Sequence, residues 1–118
     1  MQRVVPALRV TSFAASKLFY ERLGFEVSWE HRFEPELPVF ASIEFDGMEI
    51  YLTEHSGDCE RGGLVHFSIP DVDAYYETIK SRGVAVRDAP SNSLGDDMRD
   101  MTIVDPDGNQ LRFLTQKA

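Results

Sequence analysis

The residue types in this chain that could do chemistry are three histidines, one cysteine and two stretches rich in carboxylates. His31, His55 and His66 share no spacing that would bring their imidazoles to one ion. Cys59 follows His55 by four residues in the polar stretch Glu54 to Gly63. A thiol beside an imidazole can be a nucleophile, but nearness along a loop does not hold the two in reacting geometry. The segment Trp29 to Phe40 carries three large rings (Trp29, Phe33, Phe40) and three glutamates (Glu30, Glu34, Glu36) around a proline-rich turn. Aromatic faces accept flat rings, and carboxylates in a partly dry cleft attract cations. Asp96, Asp97 and Asp100 form a second acidic group, either a solvated loop or a wall that attracts cations. Each ring could equally be core, so the elements that position these residues decide their use.

Those elements occur twice. Sliding the sequence by 59 positions lays Leu8-Arg9-Val10-Thr11-Ser12-Phe13 on Phe67-Ser68-Ile69-Pro70-Asp71-Val72, Gly24 on Gly83 and Val27 on Val86. Later the offset is 61, and Asp46-Gly47 falls on Asp107-Gly108. Self-similarity at half the chain length is the mark of a duplicated unit. In the first copy, Ser12 caps a helix whose stripe is Ala15, Phe19 and Leu23, and Gly24 ends it. Phe25, Val27, Trp29, His31 and Phe33 then alternate with polar residues, a strand pattern. Val39, Ala41, Ile43 and Phe45 give a second strand, Asp46-Gly47 a two-residue hairpin, and Ile50 and Leu52 a third strand. In the second copy, Asp71 is the cap, Val72, Tyr75, Tyr76 and Ile79 form one helical face, and Gly83 stops it. The expectation is an α+β protein, one domain over residues 1–118, built from two βαβββ modules at about 4–54 and 63–115.

Composition narrows the function. The 118 residues carry 12 Lys and Arg against 20 Asp and Glu, a net charge of −8. A nucleic-acid binder needs a basic face to displace counterions, so that class is set aside. No apolar run approaches the roughly 18 residues of a membrane span, and the opening Met1 to Pro6 is too short in apolar residues for a signal peptide. With one cysteine there is no internal disulfide, and the expectation is a cytoplasmic chain.

The duplicated unit, together with Leu8-Arg9-Val10, Phe19-Tyr20-Glu21-Arg22-Leu23-Gly24-Phe25 and the closing Asp105-Pro106-Asp107-Gly108-Asn109, resembles the vicinal oxygen chelate superfamily. That superfamily includes glyoxalase I, extradiol dioxygenases, fosfomycin-resistance enzymes and bleomycin-resistance proteins. The resemblance spans residues 4 to 115 and implies a cupped mixed sheet with helices on its outer face. Its enzymes hold a divalent metal with His, Glu or Gln from the first and last strand of each unit. Those positions fall here on Val5, Tyr51, Leu64 and Arg112. Val and Leu have no donor atom, and Arg is a permanent cation that repels a metal. The resemblance with these ligands lost implies no cofactor, and points to the branch that binds bleomycin-type drugs without altering them.

Members of that branch are small acidic homodimers with clefts between subunits, and Pro6 matches a proline at the hinge of an exchanged N-terminal arm. The implied ligand is a small-molecule antibiotic with a flat heteroaromatic unit and a cationic tail. The residues assigned to it are Trp29, Phe33, Glu36, Phe40, Glu49, Tyr51, His66, Asp97 and Arg112. One departure stands out: where many of these proteins read Pro-Trp-Gly, this chain reads Asp96-Asp97-Met98, and a stacking ring is missing. The competing expectations are a metal enzyme with an unusual ligand set drawn from His66, Glu49 or Glu54, and a metal-free binder of another small metabolite.

Overall fold

Each module begins with the same local logic in the computed structural model, which describes residues 1–117. A short strand β1 (Ala7–Arg9) leads to Ser12, whose hydroxyl accepts the Ala15 N–H and starts helix α1 (Phe13–Leu23). Gly24, at φ 107°, closes the helix in the left-handed conformation that glycine adopts without strain. Three strands follow: β2 (Glu26–His31), β3 (Phe40–Phe45) and β4 (Met48–Thr53). The second copy repeats the plan with β5 (Leu64–Ser68), α2 (Val72–Ser81) capped by Asp71, β6 (Asp88–Ser91), β7 (Met98–Val104) and β8 (Gln110–Gln116). The duplicated βαβββ reading and the α+β class stand. The strands divide into two four-stranded sheets of identical plan, ordered β1-β4-β3-β2 and β5-β8-β7-β6. In each, the first strand runs parallel to the last and the remaining pairs are antiparallel.

The chain forms two compact units. The first is 1–63 with 106–109, and the second is 64–105 with 110–117. In the first, Leu8, Ala41, Ile43, Ile50 and Leu52 are buried almost completely on one face of the sheet. Tyr20 of α1 meets Phe25 edge-on at 5.5 Å. The helix buries Phe13, Ser16, Tyr20 and Leu23. Of the expected stripe Leu23 is interior, while Ser16 and Tyr20 take the places expected for Ala15 and Phe19. Phe19 and Tyr20 are adjacent rings that fit either register of the pattern, and Tyr20 took the interior. In the second unit Tyr75 of α2 packs on Phe113 at 4.8 Å, and Phe113 stacks on Phe67 at 4.6 Å. The face carrying Phe67 and Phe113 thus meets the helix, and His66 and Arg112, one residue out of phase, point to the opposite face.

The two strand ends that face each helix start carry matched latches. The Glu54 carboxylate accepts the Phe13 N–H at 2.7 Å and the Val39 N–H at 2.9 Å. At the corresponding place in the second unit, Thr115 Oγ1 accepts the Val72 N–H at 2.8 Å and donates to the Ile69 carbonyl at 2.9 Å. Both supply a partner to an N–H that the first turn of a helix leaves orphaned. The closing motif is also structural. Asp107 accepts the Thr11 N–H and hydroxyl, and Asn109 Oδ1 accepts the N–H groups of Gly62 and Gly63 while its Nδ2 donates to the Arg9 carbonyl.

Candidate functional site

A bulge aims the aromatic residues. Val27 pairs with Ile43, but Trp29 pairs with Ser42, so β2 carries one extra residue at Ser28. Strict alternation from Phe25 to Phe33 would put Trp29 and His31 beside Val27. The bulge instead turns them to the opposite face, with Phe40, Ser42 and Tyr51, which is the use sheets make of such insertions. Trp29 stacks on Phe40 with centroids 5.9 Å apart and planes at 16°. Tyr51 lies 5.6 Å from Trp29 and 5.1 Å from Phe40. Trp29 keeps 42% of its surface exposed, so the cluster is an open platform rather than core.

A pocket of about 440 Å³ opens over this platform, lined by Trp29, His31, Phe33, Phe40, His55 and Asp58. Phe33 is 73% exposed and meets His31 edge-on at 4.6 Å. The Asp58 carboxylate accepts the Thr53 hydroxyl at 2.7 Å, which fixes its place at the wall. One rung along from Tyr51, Glu26, Glu44 and Glu49 pair across three strands on the same face. Glu49 accepts the Ser42 hydroxyl and pairs with Arg3 at 2.9 Å. The arrangement offers π-faces, a hydrogen-bonding phenol and carboxylates, with no nucleophile held by a base.

Of the residues expected to bind a ligand, Trp29, Phe33, Phe40 and Tyr51 come together here, with Glu49 one rung away. Glu36 does not join them. It is exposed in the turn after β2, where the Leu37 N–H bonds the Glu34 carbonyl. Asp97 is likewise exposed, in the turn before β7. Its carbonyl accepts the Lys117 N–H. Both lie at turn tips, where solvation of a carboxylate is favoured. His66 and Arg112 belong to the other sheet, where they are register partners 3.5 Å apart at Nε2 and Nη1. His31, His55 and Asp58 are wall residues that the pattern of the sequence did not single out as binders. Their only signal is the placement of His55 and Asp58 straight after a strand end.

The four positions at which superfamily enzymes hold a metal do not fit one here. Arg112 brings a guanidinium beside His66, Tyr51 is committed to the ring cluster, and Leu64 and Val5 offer carbon. Both oxygens of Glu54 already accept backbone N–H groups, and Glu49 is held by Arg3 and Ser42. Among the described residues no group of three or more His, Cys, Asp or Glu side chains is placed to hold a metal ion.

A family model for glyoxalase superfamily proteins matches residues 1–118. The chain belongs to the glyoxalase, or vicinal oxygen chelate, superfamily. Among solved structures, it is similar to a bleomycin resistance determinant encoded on the transposon Tn5, at 21% identity over the whole of both chains with a TM-score of 0.80. It is similar to a bleomycin-binding protein complexed with bleomycin at 21% identity and a TM-score of 0.79, over 99% of this chain and 100% of that one. A glyoxalase I mutant from Zea mays shares the fold at 20% identity and a TM-score of 0.75, over 95% of this chain and 43% of that one. No curated protein matches the chain by sequence. No helix among the described residues is long and apolar enough to cross a membrane.

Proposed function

We propose that the protein binds a flat, cationic organic molecule of bleomycin type and sequesters it without transforming it. The observation that carries this reading is the Trp29, Phe40 and Tyr51 platform, open on one side and bordered by Asp58 and a row of glutamates. A planar heteroaromatic unit gains by stacking on such rings, and a tethered cation gains by approaching the carboxylates. The pocket lies within the volume range of small-molecule sites. The likeness to a bleomycin-binding protein supports the ligand class. The donor-poor metal positions support binding over catalysis. In the same reading the protein acts as a cytoplasmic homodimer.

Calorimetric titration with a bleomycin-type drug, followed in parallel by Trp29 fluorescence, tests the reading. Saturable heat with a matching fluorescence change is the expected result. Absence of both at high micromolar drug removes it. Elemental analysis of the purified protein addresses the metal-enzyme reading: a stoichiometric divalent ion, lost in His66→Ala, would replace the binding reading with that one.

A further inference from the structure

The second sheet has its own pocket, of about 280 Å³, and its lining is polar or charged except for Leu94. Register explains this lining. His66, Arg112, Thr102 and Asp88 form one row across β5, β8, β7 and β6, and Asp100 and Ser91 pair on the next rung. All but His66 line the pocket, together with Ser93. Asp100 is only 5% exposed and accepts the Ser93 hydroxyl at 2.9 Å. Arg112 forms no ion pair among the described residues. Its guanidinium meets His66 alone, and its Nε is buried without a hydrogen-bond partner.

Opposite charges lining one small pocket ordinarily pair with each other, because each is costly to desolvate alone. Here Arg112 and Asp100 face the same space and do not meet. Asp88 is already paired with Arg87 at 3.0 Å, so the unpaired charges are Arg112 and Asp100: a lone anion on Arg112 would be repelled by Asp100, and a lone cation on Asp100 would be repelled by Arg112. A molecule carrying both charges satisfies both ends. We infer that this pocket binds a small zwitterion of amino-acid size. Its carboxylate meets the open side of the Arg112 guanidinium, away from the buried Nε and from the His66 ring. Its ammonium lies against Asp100, with the Arg87-paired Asp88 at the rim, and the Thr102 and Ser91 hydroxyls flank the chain between. The pocket is at the small end of ligand sites, which excludes drug-sized molecules from it. The inference does not depend on what the aromatic platform binds.

The test uses the full chain and three probes, glycine, L-alanine and L-leucine, each compared with its N-acetyl and amide forms. Two-dimensional amide spectra follow His66, Thr102 and Arg112. At least one free amino acid should give saturable shifts, and its N-acetyl and amide forms should each bind about tenfold more weakly or worse. Arg112→Met should abolish the shifts, and Arg112→Lys should weaken binding about tenfold, since an ammonium cannot grip both oxygens. Asp100 is buried and its Asn variant could unfold, so Asp88→Asn, at an exposed position, is the second arm and should weaken binding severalfold. No saturable shift from any free amino acid at about 50 mM would overturn the inference. So would equal binding of the N-acetyl form, or unchanged binding in Arg112→Met.

Discussion

At the scale of single residues, the platform and the turn beside it make opposite predictions for side chains that look alike in sequence. Trp29 stacks on Phe40 and borders the pocket, so its loss should cost stacking and cation–π energy of about 1–2 kcal/mol. Trp29→Ala should therefore bind a bleomycin-type drug roughly tenfold more weakly by calorimetry. Because Trp29 is 42% exposed but packs on Phe40 and Tyr51, the variant should stay folded with a loss of about 1–2 kcal/mol. Among carboxylates, Asp58 lines the pocket while Glu36 stands in the turn with its charge in water. Asp58→Asn should weaken a cationic drug severalfold, and Glu36→Gln should stay within twofold. Equal effects from the two would mean that the ligand lies over the turn instead. The assignment of Glu36 came from its place among aromatic residues, and sequence nearness carries no information about which way a turn tip points.

At the scale of elements, much of the architecture could be read in advance because it rests on local chemistry. Ser12 and Asp71 cap their helices, Gly24 and Gly83 take positive φ, and Asp46-Gly47 turns a hairpin with both residues at positive φ. What could not be read was phase. The bulge at Ser28 is one residue in an otherwise regular alternation, and only pairing with β3 reveals it. The polar pocket of the second sheet was also hidden, since Asp88, Ser91 and Thr102 converge through register over three strands. The latches give a stability prediction. Glu54→Ala strands two N–H groups, and Thr115→Val strands one N–H and takes a donor from the Ile69 carbonyl while keeping shape. An unsatisfied donor costs about 1–3 kcal/mol, so urea denaturation should show a loss of about 2–4 kcal/mol for Glu54→Ala and about 1–2 for Thr115→Val. A second tie joins α2 to β7. Arg99 donates to Asp73 at 2.6 Å and 3.2 Å, and that hydrogen bond is what holds the Asp73 carboxyl below its ordinary 3.8. A carboxyl lowered in the folded state stabilises above its unfolded value, and that contribution is lost as pH falls through the folded one. The pair is exposed, so the effect is small. Asp73→Asn should trim the loss of stability as pH falls below the ordinary carboxyl value, with little change in the remaining profile.

At the scale of the whole molecule, charge and apolar surface predict different responses to one variable. The net charge of −8 surrounds any cationic ligand with an attractive field, and that attraction is screened by salt. Drug affinity should therefore fall severalfold as sodium chloride rises from about 0.05 to about 0.5 M, where the screening length shortens from above 10 Å to a few ångströms. Self-association rests on other features. Val4, Leu18, Phe33, Leu37 and Leu64 are exposed, and β5 stands at the end of its sheet in strand order. Unpaired strand edges and exposed apolar side chains favour pairing with a second copy. Apolar burial and backbone pairing do not weaken with screening, and added salt reduces the repulsion between two acidic chains. Sedimentation equilibrium across the same salt series should thus show a species of twice the 13.4 kDa chain mass throughout, tightening as drug affinity declines. A 13.4 kDa species at every salt concentration would remove the dimer, and a drug affinity indifferent to salt would remove the carboxylates from the binding account while leaving the rings in place.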